Sequence, residues 1–294
     1  MGEKKELSTV NAADRVYKCA PLPFQGQKRY FATPFAEVLQ DYVRNNKVEL
    51  IVDLFGGSGL LAHTAKRVVP GCRVIYNDFD DYHVRLLNIQ KTNRLLSDIR
   101  AIIGDLKRGD RLVPDLRSNV LQRIGQEAKT GYVDYITISS SLLFSGKYAT
   151  TFEELSKESF YNVVKKSDYD VESGDYLAGL EIYRCDYMQL FEKYKDVQGV
   201  IFLVDPPYLS TDTSTYSSDK YWRLKDYLNV LNVLKGTKYI YFTSEKSSIV
   251  ELCDWLENNL EMNNPFAGAT LKVHVNKINQ QAKYKDMMLY NLCG

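Results

Sequence analysis

The 294-residue sequence predicts an α/β fold, a doubly wound and mostly parallel sheet that ends in an antiparallel hairpin. Three observations predict it. Residues 49–59 read Glu-Leu-Ile-Val-Asp-Leu-Phe-Gly-Gly-Ser-Gly and run into helical spacing over 60–69, the strand, glycine turn and helix of a βα unit. Val200-Ile201-Phe202-Leu203-Val204 is an apolar β-type run closed by Asp205-Pro206-Pro207-Tyr208, a buried strand stopped by a stiff turn. Residues 270–275 and 286–291 have strand character and are joined by a polar loop, so they pair antiparallel.

Residues 1–20 are polar and read as a loose arm. A Pro/Gly-punctuated loop over 21–29 then carries Phe24, Lys28 and Arg29. Thr33 suits a helix cap with Pro34 in the first helical position, and Phe35, Val38, Leu39, Tyr42 and Val43 follow at helical spacing. After the unit at 49–69, a second strand over 73–76 ends in Asn77-Asp78. An acid placed there, roughly twenty residues beyond a glycine turn, is positioned to take two ribose hydroxyls. A helix is predicted over 80–97. Residues 98–178 break the βα rhythm, with helices over 112–129 and 151–164 flanking a stretch rich in Tyr, Ile, Thr and Ser at 131–144. The rhythm resumes with a short strand at 180–187 that ends in an acid and an aromatic, Asp186 and Tyr187. The strand at 200–204, a polar loop at 209–219, a helix over 221–234, a strand at 238–243 and a helix over 246–260 lead into the hairpin.

Composition excludes several classes. Lys and Arg number 38 against 37 Asp and Glu, so no global field points to nucleic acid and any basic surface is local. Residues 83–130 hold such an excess, ten cations (85, 91, 94, 100, 107, 108, 111, 117, 123, 129) against five acids, which reads either as solvated helix faces or as a phosphate-contacting patch. Five cysteines without a C-x-x-C pair suit a reducing cytoplasm and argue against structural zinc. The first ten residues show no signal-peptide or myristoylation pattern, and no run approaches a membrane span. The glycine turn is not G-x-G-x-x-G and lacks a Walker lysine, which disfavours dinucleotide and P-loop readings.

Chemistry concentrates at Asp205, Pro206 and Tyr208. Two prolines stiffen the turn and remove two donors, leaving a carboxylate, a carbonyl and a flat ring together. That combination grips an exocyclic amino group on a planar base, with two acceptors for the amine hydrogens and a ring to stack on.

The order of a loop with a lysine, D-x-F-G-G-S-G, N-D, an insertion, C-D-Y, D-P-P-Y and a terminal M-L-Y-N resembles the Dam-like (D12 class) DNA adenine-N6 methyltransferases. The resemblance implies a seven-stranded Rossmann-like methyltransferase domain from residues 1–97 and 179–294, with 98–178 as an inserted target-recognition segment. It implies S-adenosylmethionine as cofactor. Phe24 and Lys28 would contact it, Phe55, Gly56, Gly57 and Gly59 would line its methionine end, and Asp53 would lie near its amino group. Asp78 would take its ribose, and Asp186 and Tyr187 would meet its adenine. Phe24 stands where tryptophan is more usual, and Gln27 interrupts the customary Gly-Gly-Lys. Arg108, Arg111, Lys147 and Tyr148 are the DNA-contacting candidates, with Tyr132, Tyr135 and Phe144 as further possible DNA-facing residues. The middle segment lacks an F-N-x-P-x-G-like stretch, so no recognition sequence carries over.

The implied reaction is methyl transfer to the N6 of an adenine flipped out of duplex DNA, with Asp205 and the Pro206 carbonyl accepting the amine hydrogens and Tyr208 stacking on the base. It requires no metal, and His63, His83 and His274 read as core or surface residues. The expected setting is a monomer in the cytoplasm, with or without a cognate restriction endonuclease. Two other readings stand beside this one: methylation of a base in RNA, and a catalytically silent methyltransferase-like protein that only binds nucleic acid.

Overall fold

A computed structural model of the chain describes residues 15–144, 146–208, 222–277 and 283–293. The expected loop at 209–219 and most of the N-terminal arm lie outside them. Seven strands, β1 (Leu50–Asp53), β2 (Arg73–Asn77), β3 (Glu181–Tyr183), β4 (Ile201–Val204), β5 (Lys238–Ser244), β6 (Thr270–Lys277) and β7 (Lys283–Asn291), form one sheet in the order β3-β2-β1-β4-β5-β7-β6. The first five are parallel, and β7 runs antiparallel to both β5 and β6. The α/β sheet with an antiparallel end is therefore as the sequence predicts. Every residue of β1 and β4 is buried, as a strand covered on both faces requires.

Helices cover both faces. On one side α1 (Ala32–Val43) and α2 (Leu60–Val68) pack with Ile51, Tyr76, Leu203 and Phe242. On the other, Leu190 and Phe191 of α8 (Tyr187–Tyr194), Val230 and Leu234 of α9 (Leu224–Leu234), and Ile249 and Cys253 of α10 (Ile249–Leu260) cover Val52, Phe202 and Tyr241. The chain leaves β1 in one direction towards β2 and β3 and fills the other with β4 and β5. A switch point thus lies between the carboxyl ends of β1 and β4, where such sheets open a crevice.

The local differences from expectation have physical causes. Helix α1 begins at Ala32 behind Phe31, so Pro34 sits third rather than first, still within the turn whose N–H groups lack intrahelical partners. The helix expected over 80–97 is two, α3 (Tyr82–Leu87) and α4 (Ile89–Ile103), broken at Asn88, whose φ of −106° and ψ of 15° leave the helical region. Only Phe152–Lys157 (α7) of the helix expected at 151–164 forms, because the chain after it runs alongside Arg111 and bridges it through Tyr161.

Between α4 and β3 lie α5 (Pro114–Thr130), α6 (Tyr135–Leu142) and α7. Helix α4 runs straight across residue 98, from which the insertion is counted in sequence. Val120, Ile124, Ile138, Leu142, Phe160 and Tyr176 belong to the same apolar core as α1 and α2. The cation excess of 83–130 is partly spent inside the fold. Arg100 pairs with Asp168, Arg123 with Asp98 and Glu127, and Arg117 donates to the carbonyls of Ser156 and Glu158. Arg85 is only 4% exposed and donates through Nε to Asp134 at 3.0 Å. Those four are structural cations, and Lys91, Arg94, Lys107, Arg108, Arg111 and Lys129 remain exposed. Among the described residues no helix is long and apolar enough to cross a membrane.

Asp134 also caps α6 by accepting from the N–H of Thr137, so its loss strands a buried guanidinium and uncaps a helix together. Asp134→Ala is expected to lower unfolding stability by about 3–5 kcal/mol in urea titrations, the usual cost of breaking one side of a buried pair.

Candidate active site

The loops at the carboxyl ends of four strands converge on one cleft of about 900 Å³, which suits a small-molecule ligand. After β1 come Leu54, Phe55, Gly56 and Gly57, at the end of β2 Asn77 and beyond it Phe79 and Asp80, after β3 Asp186 and Tyr187, and after β4 Asp205, Pro206, Pro207 and Tyr208. The Asn77 side chain staples the floor: its amide donates to the carbonyls of Leu54 and Cys185 and accepts from the N–H of Cys185.

The fifth side of the cleft is the loop before α1, with Phe24, Gln25, Gly26 and Lys28. Its position is built from behind. The Tyr82 hydroxyl accepts from the N–H of Leu22 at 2.9 Å, Arg85 donates to the carbonyl of Pro23 at 2.7 Å, and Gln27 accepts from the N–H of Ala20 at 3.1 Å. Gln27, which interrupts the expected Gly-Gly-Lys, thus closes its own loop. Phe24 packs edge-on against Tyr82, with ring centroids 5.8 Å apart.

Lys28 reaches across to the β4 turn. Its Nζ lies 2.6 Å from Asp205 Oδ2, with the two side chains 9% and 14% exposed, and it also donates to the carbonyl of Gly26 at 2.7 Å. The same ammonium stands 5.1 Å from the centre of the Tyr208 ring. Among the described residues, Asp205 Oδ1 is buried without a hydrogen-bond partner. Burial pushes the Asp205 carboxyl up to about 6, Lys28 pulls it down, and Asp286 adds to the rise.

Asp53 lies one step away. It pairs in register with Leu203, so Asp205, two residues further along β4, faces the same side of the sheet. Asp53 is fully buried, and among the described residues neither of its oxygens has a donor in full hydrogen-bond geometry. Burial and then the Asp205 charge push its carboxyl up to about 8, against the weaker pull of the Phe55 and Ala62 N–H groups and of Lys28.

The glycines of the turn serve packing as much as ligand approach. A Cβ on Gly56 would sit 2.2 Å from the Tyr76 ring, and one on Gly59, whose φ is +73°, would lie 2.7 Å from Leu177. Gly56 and Gly57 are on the cleft wall, whereas Gly59 is behind it.

Ten of the thirteen catalytic and cofactor candidates therefore share the cleft wall: Phe24, Lys28, Phe55, Gly56, Gly57, Asp186, Tyr187, Asp205, Pro206 and Tyr208. Asp53, Gly59 and Asp78 do not. Asp78 is fully buried, and its carboxylate accepts from the N–H groups of Tyr82 (2.6 Å) and His83 (2.8 Å) and from the Tyr76 hydroxyl (3.0 Å). It caps α3, while Asp80 stands on the wall. Asp186 caps α8 through the N–H of Met188 and stays exposed to the cleft.

Sequence reasoning missed Trp222, Asp226, Asn229 and Tyr284 on this wall. Trp222 completes an aromatic cluster with Phe55 and Tyr187, at centroid distances of 5.9 and 6.1 Å. Only an aromatic just ahead of an amphipathic helix signalled it.

A second hollow of about 690 Å³ shares Phe24, Lys28, Tyr208 and Tyr284 with the first and adds Arg29, Tyr30, Tyr148, Ser244, Lys246 and Asp286. It brings Tyr148 of the inserted segment to the β4 turn. Lys147 points to Glu158 at 3.4 Å, Arg111 donates to Ser159 at 2.7 Å, and Arg108 is exposed. The Tyr30 ring stacks on His274 at 4.3 Å, and His63 is buried beneath Tyr176, its imidazole pushed down to about 4 by burial.

The family model for D12 class N6 adenine-specific DNA methyltransferases matches residues 24–260. A Haemophilus influenzae (strain Rd) protein provisionally named a methyltransferase is 36% identical over 282 residues, which span 95% of this chain and 94% of that protein. Among solved structures, precorrin-6y C5,15-methyltransferase from Geobacter metallireducens GS-15 aligns over 86% of each chain at 9% identity with a TM-score of 0.28, too loose a likeness to argue from.

The buried carboxyl of Asp53 makes a pH prediction. Its folded value, about 8, lies above the unfolded value of about 3.9, so the folded state keeps a proton that the unfolded chain has released. Stability from this group is full below the unfolded value and falls as pH rises towards 8; Asp205 acts in the same direction up to about 6. Asp53→Asn should therefore gain stability relative to wild type between about pH 5 and about pH 8, as read by urea titration at each pH. A parallel pair of stability curves would contradict it.

Proposed function

The chain belongs to the D12 class N6 adenine-specific DNA methyltransferase family, and we propose that it transfers the methyl group of S-adenosylmethionine to the N6 amino group of an adenine flipped out of duplex DNA. The observation that carries this reading is the β4 turn. Asp205, Pro206 and Tyr208 stand together on the wall of the switch-point cleft, with Asp205 Oδ1 buried and unpartnered.

The residues present fit the cofactor. The cleft has the volume of a nucleoside-sized ligand, an aromatic side in Phe55, Tyr187 and Trp222, and an acid at the head of α8 in Asp186. Phe24, Phe55, Gly56, Gly57, Asp186 and Tyr187 would hold it, and the unpartnered oxygens of Asp53 lie behind the turn that meets its methionine end. Asp78 serves from behind the wall, by fixing α3 and with it the Tyr82 that anchors the Phe24 loop. Bound there, S-adenosylmethionine supplies an electrophilic methyl group on a sulfonium centre.

The remaining work falls to the chain. The N6 lone pair of adenine is delocalised into its ring, so the amine is a poor nucleophile until it turns towards tetrahedral. Asp205 Oδ1 and the Pro206 carbonyl accept the two amine hydrogens and favour that change, because each hydrogen bond strengthens as the nitrogen gains positive charge. Tyr208 stacks on the extruded base and holds N6 in line for attack. A carboxyl raised towards 6 can also hold the proton that the methylated amine gives up. On the DNA side, Arg108, Arg111 and Lys147 would face phosphates and Tyr148 the extruded nucleotide, from a recognition segment over 98–178. The same reading has the chain acting as a monomer in the cytoplasm, alone or beside a cognate restriction endonuclease.

Incubation with labelled S-adenosylmethionine and unmethylated duplex DNA, with RNA alongside, should put N6-methyladenine in the DNA by nucleoside analysis. Label confined to RNA, or none in either, would overturn the reading. Asp205→Ala is expected to lower kcat by about 10²–10³-fold with S-adenosylhomocysteine affinity retained. Neutralising Arg108 and Arg111 together should reduce the slope of log affinity against log salt by about 2, at roughly 0.9 per phosphate contact. An unchanged slope would return both to solvated helix faces.

A further inference from the structure

The ammonium of Lys28 spends two of its hydrogen bonds within the protein. A lysine offers three donors. One goes to Asp205 Oδ2 and one to the carbonyl of Gly26, while the Tyr208 ring lies 5.1 Å from the nitrogen. At 9% exposure the side chain lines the cleft with its ammonium held against the β4 turn. We propose that Lys28 is a positioning residue for the catalytic carboxylate: it occupies Oδ2, keeps Asp205 ionised, and leaves Oδ1 as the oxygen that accepts from the target amine. This rests on the assignment of Asp205 as amine acceptor.

The charges facing Asp205 make the lysine necessary. Burial and the charge of Asp286 on β7 both favour a proton on Asp205, Asp53 at the end of β1 itself keeps its proton up to about 8, and Tyr241 of β5 and Tyr208 of its own turn add no positive charge. Lys28 is the cation that opposes them. Without it, Asp205 would lie buried beside the Asp286 charge with no cation at hand, and it would take a proton in the neutral range. A protonated Asp205 carries a donor on one oxygen and no longer draws the amine hydrogen with a full negative charge. The substrate amine and the lysine thus use different oxygens of one carboxylate, and neither needs to displace the other.

The direction of the pH effect follows. Transfer needs ionised Asp205, so it falls as pH drops through the value near 6 that Lys28 helps to hold down. Removing the cation moves that acid limb upward, by about 1–3 units for an opposite charge at contact distance.

Three readouts on the full chain test this in wild type, Lys28→Met, Lys28→Gln and Lys28→Arg. They are the pH profile of kcat on DNA, the affinity for S-adenosylhomocysteine by calorimetry, and the carboxyl ¹³C titration of Asp205 in free protein, assigned with Asp205→Asn. In Lys28→Met, or in Lys28→Gln where the methionine variant does not fold, the acid limb and the Asp205 resonance should both move up by about one unit or more. Lys28→Arg should bring them back towards wild type, and S-adenosylhomocysteine affinity should stay within about threefold, under 0.7 kcal/mol by the tenfold-per-1.4 rule. An unmoved Asp205 titration overturns the proposal. So does a tenfold or greater loss of cofactor-product affinity with the limb in place, which would make Lys28 a cofactor ligand. If wild type methylates no DNA, the functional reading fails by itself, and the ¹³C titration still decides what Lys28 does.

Discussion

Two adjacent parallel strands end in carboxylates that face the same side of the sheet, and the site is organised around the cost of that arrangement. Asp53 is fully buried and Asp205 only 14% exposed, and the Asp205 charge raises the affinity of Asp53 for a proton. Coulomb attraction in such surroundings is worth several times its value in water, so one well-placed cation changes the state of the pair. Lys28 is that cation, and it comes from a loop with no regular structure of its own. Much of the neighbouring architecture reads as support for the loop: Tyr82 binds its Leu22 end, Arg85 its Pro23 carbonyl, and Gln27 its Ala20 end. Asp78 then holds Tyr82 by capping α3. A chain of hydrogen bonds runs from the end of β2 to the carboxylate at the end of β4.

That chain explains which candidates stand on the cleft wall. Residues that set the backbone of the walls lie one layer back, because a side chain already contacted by the Tyr82 and His83 N–H groups, the His83 ring and the Tyr76 hydroxyl, as Asp78 is, has little left to offer a ligand. The glycine turn divides in the same way. Gly59 adopts a left-handed φ and lets Leu177 approach, a packing role, whereas Gly57 presents its backbone to the cleft.

Much of the sheet was legible in the sequence because its signals are short-range. Five consecutive apolar residues closed by Asp-Pro-Pro-Tyr specify a buried strand and its end, and alternation at both sides of a polar loop specifies a hairpin. The wall residues after β1, β3 and β4 were legible for the same reason, since a residue just past a parallel strand is carried to the crevice by the topology. What escaped depends on contacts distant in sequence. Helical periodicity runs unbroken through Asn88, yet α3 turns to hold the site while α4 packs on α5. Arg85 counts as one more surface cation until Asp134, 49 residues on, is seen to bury it. Lys28 was legible as a functional lysine but not as the partner of Asp205, because nothing local links positions on opposite sides of a cleft. Trp222 reaches the wall only through the packing of α9 on the sheet.

The Arg85–Asp134 pair also ties the segment after α4 to the reaction. Arg85 grips the Pro23 carbonyl, Asp134 and Thr137 at once, so the start of α6 and the loop that carries Lys28 share one buried guanidinium. The helices around α6 contribute to the core beneath β1 rather than to a core of their own. A displacement of α6 would therefore strain the Lys28 loop directly, at the cost of an unpaired buried charge, instead of being absorbed by a flexible connection. Tyr148, which follows α6, and Tyr208, which follows Asp205, line the same hollow. The segment beyond α6 and the loop that sets the electrostatics of Asp205 are thus joined through one buried guanidinium.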